Sequence, residues 1–422
     1  MDITNSIMVL KKRLLFLSLT IVFFITVLIC RLFFVQIISN SQLTSRAADQ
    51  WFRDLPLQAP RGKIVASNGV VLADNTNRFT IYIRPRAVID VDETAHVLAE
   101  HLNMIESKIV DKIKSANVSE ITLVRNIEAS VAEDLRSHNL PGVYFTLDAT
   151  RSYPHGDHLT QVLGFTNVDN AGQNGLELYY DKYLKGVNGF SYTGTDLKGI
   201  ELINNTTRYV PAIPGMDLQL SVDSNIQHFV EDAVDNAHLE WKAQGVSMMV
   251  YDMTTGGVLA SASSPSFDLN DPPRDQLDLL NQLSKNNMIT DVYEPGSTFK
   301  IFTIAAALDA GVLSMDEKFF CPGYRIIDGQ RIRCWRTHGH GMQTVQEAVN
   351  SSCNCMIMDL AQRLGVQRLY SYLRAFGFGA QSGIDFFGES RGIVIPEKDV
   401  KLVDIVRIGF GQTIAVTTLQ MV

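Results

Sequence analysis

Apolar positions recur along this chain in three patterns: one unbroken run, stretches of period two, and stretches of helical period. From Leu14 to Cys30 the only polar residues are Ser18, Thr20 and Thr26, and after Arg31 the run resumes as Leu32-Phe33-Phe34-Val35 before Gln36, Ile37 and Ile38. About 20 such residues in a helix cross a bilayer, so residues 14–38 predict a transmembrane helix. The run exceeds the roughly 7–15 residues of a signal-peptide core and no small-residue cleavage site follows it, which favours an uncleaved anchor. Arg31, toward the outer end, can extend its stem to the interface. Lys11, Lys12 and Arg13 stand directly before the run. They predict a cytoplasmic tail over residues 1–13, with everything after about Asn40 outside.

Shorter patterns follow. Lys63 to Ala66 and Val70 to Ala73 are β-prone runs around Asn68-Gly69, a pair that predicts a hairpin with a type I′ turn. Residues 92–135 carry a largely helical pattern, and residues 151–188 are Gly-rich and irregular. Together they form an extended module over residues 39–215, closing near Pro214-Gly215. A second module, residues 216–422, opens with the alternating strand Asp217–Asp223, and Asp223 or Ser224 caps a helix to about Ala237. Residues 245–252 and 258–262 predict two strands joined by Thr254-Thr255-Gly256-Gly257. The plan is α+β, an antiparallel sheet flanked by helices.

Composition narrows the function. The chain has 422 residues, too many for one ordinary core, with 46% apolar and 19% charged residues, so most of it folds. The net charge of −8 comes without a basic cluster in the soluble part, which excludes a nucleic-acid partner. No Gly-rich phosphate loop or dinucleotide fingerprint occurs, and Asp148, Asp157 and Asp169 are scattered, so no cofactor is expected.

Candidate chemistry begins at Glu294-Pro295-Gly296-Ser297-Thr298-Phe299-Lys300, which runs into an alanine-rich helix ending at Gly311. Proline suits the first turn, so Ser297 falls at a helix N-terminus, where free amides and the positive dipole end favour developing negative charge. Lys300 lies three residues on, on the same face. A hydroxyl nucleophile needs a base, and a desolvated lysine serves. On its own this pair is equally an ordinary capped helix with an exposed lysine. The deciding element is Ser352-Cys353-Asn354. Thr344 and Glu347 form a capping box for a short helix and another helix runs from about Met356 to Gly365, which puts Ser352 and Asn354 at a junction between helices. There a serine can relay a proton and an asparagine amide can orient a substrate amide.

With these elements the chain resembles the class B penicillin-binding proteins, whose superfamily is known for Ser-x-x-Lys and Ser-x-Asn motifs. The likeness extends through Arg61-Gly62 with Asn68-Gly69, Arg151-Ser152-Tyr153-Pro154, Gly175-Leu176-Glu177, Pro214-Gly215, Gly377-Phe378-Gly379 and Gly383-Ile384-Asp385. The run from Cys321 to Gly341 is most similar to the stage V sporulation protein D subgroup. The resemblance implies a transmembrane helix, a β-rich pedestal or dimerisation module, and a penicillin-binding transpeptidase domain. It implies an enzyme that cross-links peptidoglycan stem peptides through an acyl-enzyme on Ser297, binds β-lactams, and works beside a membrane glycosyltransferase. Lys300, Ser352 and Asn354 would complete the catalytic set, and Gly409, Gly411 and Gln412 would face substrate. The family's third element, Lys-Ser/Thr-Gly, does not occur between Gln412 and Val422. The expectation is therefore a chain truncated before the last strands of the sheet. A serine β-lactamase would share the acylation chemistry, but the fused module over residues 40–215 argues against one. The joint presence of Ser297, Lys300, Ser352 and Asn354 argues against a pure scaffold.

Five cysteines occur; Cys30 lies in the predicted span, and Cys321, Cys334, Cys353 and Cys355 all follow Ser297. Cys321 and Cys334 with His338 and His340 lack a paired-cysteine knuckle, so no metal is assigned. A reversible disulfide between Cys334 and Cys353 would constrain the Ser352–Asn354 element, and buried free thiols are the equal alternative.

Overall fold

A computed structural model describes residues 3–38, 52–116, 118, 120–194 and 208–422. The chain forms two compact units that interleave in sequence: residues 1–59, 77–148 and 187–213 in one, residues 60–76, 149–186 and 214–422 in the other.

The first unit begins with a helix over Ile3–Phe33 that continues as a wider-wound turn over Phe34–Ile38. Leu15–Ile38 is a 24-residue stretch long and apolar enough to cross a membrane. Ser18, Thr20 and Thr26 donate their hydroxyls back to the carbonyls of Leu15, Phe16 and Val22, which satisfies them without water. Further on, the strands Phe52–Leu57, Gly189–Gly194 and Arg208–Val210 form an antiparallel sheet. A separate core of Ile81, Ile83, Leu98, Ile109, Leu123 and Leu135 packs two helices, Val91–Leu102 and Glu106–Lys114, over the strand Ile121–Ile127. That strand corrects the largely helical expectation for residues 92–135. Its β-branched run is only 7 residues long, between two helical segments, and pairs with Phe79–Ile83, so tertiary pairing overrides the surrounding period.

In the second unit the Asn68-Gly69 hairpin forms, but not with the expected turn. Ala66 donates to Val70 O and Gly69 to Ala66 O, and only Gly69 takes a positive φ. This is a three-residue loop with a left-handed glycine. Its tip is held from outside: Ser67 N donates to Val222 O and Asn68 Nδ2 to Ser224 Oγ. The predicted strand over residues 217–223 is regular only at Leu218–Gln219, parallel to Ile64–Val65. Asp223 caps the next helix, Ser224–Trp241, by accepting from Asn225 N and Ile226 N. Strands Val246–Tyr251 and Val258–Ser264 pair antiparallel, and Ala260 and Ala262 pack on Val230 and Val234 of that helix.

The largest core surrounds the helix Lys300–Asp309 and the segment Asn354–Ala375, and includes Phe299, Ala306, Ile357, Leu360, Val406 and Phe410. The latter segment is two helices broken at Gly365 (φ 68°, ψ 177°), where the sequence places the stop. Between Ser297 and Ser352 two small antiparallel ribbons form, Lys318–Cys321 with Gly341–Thr344 and Tyr324–Ile327 with Gln330–Arg333. The second is closed by Asp328-Gly329, both with positive φ, a two-residue turn of the I′ kind.

Candidate active site

Ser297 lies in the 3-10 turn Gly296–Phe299, which passes directly into the helix Lys300–Asp309. Phe299 is wholly buried against Phe302 and Phe378, so the turn is anchored from below while Ser297 faces solvent. Thr298 Oγ1 donates to Pro295 O at 2.8 Å, closing the turn. On the other side Gly296 N donates to Gly411 O at 2.9 Å. A Cβ on Gly411 would fall 2.1 Å from Gly296 O, and its φ is +79°, so two requirements converge on glycine at that position. Gly409 is buried and its carbonyl accepts from Thr303 Oγ1 at 2.7 Å, while Gln412 is exposed. Of the three residues expected to face substrate, Gly411 braces the Ser297 turn, Gly409 braces the helix that follows it, and Gln412 alone is exposed.

Lys300 is one helical turn beyond Ser297 and only 6% exposed. Its Nζ donates to Ser352 O at 2.7 Å, Ser352 Oγ at 2.9 Å and Asn354 Oδ1 at 2.6 Å. The sequence-predicted residues Lys300, Ser352 and Asn354 thus meet around one nitrogen. All three acceptors are neutral. Burial lowers the Lys300 pKa below the ordinary lysine value, offset in part by the nearby sulfurs of Cys334 and Cys353.

Ser352 and Asn354 lie between the helix Val345–Asn350 and the helix starting at Asn354. The capping box of Thr344 and Glu347 forms as predicted. Ser352 takes a positive φ of 49°, a costly conformation for a non-glycine residue, and this turns its hydroxyl and carbonyl toward Lys300 together. Two contacts with no counterpart in the sequence expectation hold this turn: Trp335 Nε1 donates to Ser351 O at 2.9 Å and Gln343 Nε2 to Ser351 Oγ at 2.8 Å. Opposite, Thr413 N donates to Glu294 Oε1 at 2.9 Å, tying the residue after Gln412 to the approach to Ser297.

Of the four residues weighed as metal ligands, Cys321 and Cys334 are together, His340 Nδ1 lies 3.8 Å from Cys334 Sγ, and His338 is exposed; Cys353 and Cys355 join the two cysteines in one buried cluster. Cys334 and Cys353, expected as a redox pair, are both members.

A serine at a helix start, a buried lysine surrounded by neutral acceptors, and a Ser-x-Asn turn make a site suited to acyl transfer. Two family models and several known proteins match the chain. Residues 56–220 match the family described as the penicillin-binding protein dimerisation domain, and residues 246–422 match the penicillin-binding protein transpeptidase domain. Over 98% of its length the chain is 39% identical to stage V sporulation protein D of Bacillus subtilis. It is 27% identical over 97% of its length to the probable peptidoglycan D,D-transpeptidase PenA of Neisseria meningitidis, covering 70% of that protein. The same identity, over 93% of the chain and 66% of the relative, holds for the peptidoglycan D,D-transpeptidase MrdA of Escherichia coli. The chain spans 64% of the length of the sporulation protein. The fold is that of penicillin-binding protein 2X from Streptococcus thermophilus, with a TM-score of 0.71 and 24% identity over 87% of this chain and 58% of that one.

Proposed function

Because the chain belongs to the penicillin-binding proteins, with their dimerisation and transpeptidase domains in succession, we propose that it is a membrane-anchored serine D,D-transpeptidase. In this reading Ser297 attacks the carbonyl carbon of the penultimate D-alanine of a peptidoglycan stem peptide. The Ser297 proton passes to Lys300 Nζ in its neutral form, and the C–N bond to the terminal D-alanine breaks. Ser352 Oγ, 2.9 Å from Nζ, relays the proton to the departing amine. A stem-peptide amine from a second strand then attacks the acyl-enzyme and releases Ser297. The Ser297 amide, at the helix start, faces the developing oxyanion, and the Asn354 side chain orients the substrate amide. β-Lactams acylate the same serine. The observation that carries this reading is Lys300, buried one turn from the nucleophile and bonded to Ser352 and Asn354.

Lys11, Lys12 and Arg13 ahead of the span support a cytoplasmic N-terminus and an extracytoplasmic site. The dimerisation domain, residues 39–215 in linear terms, is assigned to docking beside a membrane glycosyltransferase, and residues 216–422 to the transpeptidase domain. Segments 60–76 and 149–186 of the former fold within the second compact unit. A fluorescent penicillin tests the nucleophile. It should label the intact membrane protein at Ser297, and Ser297→Ala should abolish labelling; undiminished labelling of the variant overturns the assignment.

A further inference from the structure

The ribbon beside the Ser352 turn carries charges that the acylation chemistry does not use. In its strands Tyr324–Ile327 and Gln330–Arg333, Ile327 and Ile332 turn inward and are buried, while Arg331 and Arg333 lie on the outer face and are exposed. Across from them stand Ile326 and Tyr324. The Arg331 guanidinium lies over the Tyr324 ring, 3.9 Å from its centre, so it leans along the ribbon toward Arg333. We propose, on the strength of the transpeptidase reading and as an extension of it, that Arg331 and Arg333 clamp a carboxylate of the acyl donor, so that the site prefers a stem peptide with a free inner carboxylate to one with a carboxamide there.

The charge of this pair is unmatched by the protein. On the opposite face of the ribbon Arg325 is held by Asp359 at 2.7 Å. Among the described residues neither Arg331 nor Arg333 forms an ion pair, and Asp328 in the ribbon's own turn pairs with neither. Arg407 adds a third guanidinium at the start of the strand, donating to Gln330 Oε1 at 3.5 Å. In a chain of net charge −8, guanidinium groups gathered this closely with no carboxylate among them make a local positive field that an anion relieves. Their planar forks suit a carboxylate, which accepts two parallel hydrogen bonds from one guanidinium.

The pair also stands where a bound peptide would run. Cys334 N donates to Gly323 O, so the alternate residues Arg331 and Arg333 turn their backbone groups away from the ribbon. Arg333 O accepts from Asn354 Nδ2 at 3.5 Å, and the Asn354 side chain is the group that orients the substrate amide in the transpeptidase reading. Trp335 Nε1 donates to Ser351 O at 2.9 Å, which fastens the end of the strand to the same turn. A peptide whose amide rests on Asn354 continues over Arg333 and then Arg331. These two are separated by about 7 Å, the spacing of alternate residues on an extended chain.

Two fluorescent synthetic stem pentapeptides test the clamp; both end in D-alanyl-D-alanine and they differ only at one inner residue, glutamate or glutamine. Binding to the intact Ser297→Ala protein, read by anisotropy, does not depend on acylation. The glutamate peptide should bind about 10-fold more tightly, the scale of one charged hydrogen-bonded pair, and added salt should narrow the gap. Arg331→Gln and Arg333→Gln together should bring the two affinities within about 2-fold by weakening the glutamate peptide, and lysine at both positions should restore part of the preference. Equal affinities before any arginine is changed overturn the proposal, whether or not the glutamine variant folds. So does a preference that survives the double substitution. A scrambled peptide of the same charge, without the D-alanyl-D-alanine end, that binds as tightly also overturns it, since that marks a general attraction for anions. Fluorescent penicillin on protein with Ser297 intact separates the two readings. Labelling at Ser297 with equal peptide affinities removes the clamp and leaves the transpeptidase, whereas a glutamate preference without labelling keeps the clamp and removes the nucleophile.

Discussion

Two buried cationic centres in the second unit differ in how their charge is met. At the first, Arg61 is fully enclosed and donates to Glu177 Oε2 at 2.5 Å, Asp181 Oδ1 at 2.7 Å, Glu177 O at 2.6 Å and Asn170 O at 3.1 Å. Arg151 reaches the other Glu177 oxygen at 2.6 Å and Gly62 O at 2.7 Å. Two guanidinium groups share one carboxylate, with Asp181 as the second anion, so the charges nearly cancel and residues 60–76 are locked to residues 149–186. At the second centre, Lys300 meets only neutral oxygens. Ion pairing fixes structure there; burial among neutral hydrogen-bond partners lowers the lysine pKa here.

The comparison can be broken from either side. Lys300→Ala should cut penicillin acylation by about 10²- to 10⁴-fold, the range for a positioned base, with little change in thermal midpoint. Stopped-flow labelling and calorimetry on the same sample check both halves, and a collapse of the midpoint would make Lys300 a structural residue. Glu177→Ala should do the reverse. Stripping the shared carboxylate from two buried guanidiniums costs about 3–5 kcal/mol, read as a shifted urea midpoint. A variant as stable as the parent would show that the arginines are not held by charge.

An intermediate case sharpens the rule. Glu231 is buried, accepts from Leu159 N at 2.8 Å and Gln227 Nε2 at 2.6 Å, and forms no ion pair among the described residues. Burial pushes its pKa up from 4.5 to about 7. The folded state therefore binds its proton more tightly than the unfolded state. The stability this lends is fully present below the unfolded value near 4.5 and is lost as pH rises through about 7. The shift corresponds to roughly 3 kcal/mol at most. Glu231→Gln should keep both hydrogen bonds and gain on the parent between pH 5 and pH 8. Parallel urea curves at the two pH values would end this account of Glu231.

Much of this was legible in the sequence, for physical reasons that differ by residue. The Ser297 helix and the Thr344–Glu347 capping box are local, set by proline, glycine and side-chain spacing within a few residues. Ser352 and Asn354 were legible as a break between helices, but not their convergence on Lys300, which depends on a positive φ at Ser352. The turns show the limit of local rules. Asp328-Gly329 closes its ribbon with two positive φ angles, whereas Asn68-Gly69 has one, because Val222 and Ser224 hold that loop from outside the hairpin. The strand Ile121–Ile127 was hidden inside a helical stretch. The cysteine cluster was legible in part: the sequence reading paired Cys334 with Cys353, whereas only the folded ribbons show that Cys321 and Cys355 join them.

The most direct test of the central claim is the pH dependence of penicillin acylation at Ser297, followed from pH 6 to pH 9.5 in the intact protein and in Lys300→Ala. If burial among neutral hydrogen-bond partners turns Lys300 into the base, the parent rate climbs with pH as Nζ loses its proton, levelling with an apparent pKa below the ordinary 10.5 of lysine. The Lys300→Ala rate stays low and flat across the same range. A parent rate that is independent of pH, or a climb of the same shape in Lys300→Ala, would contradict the account.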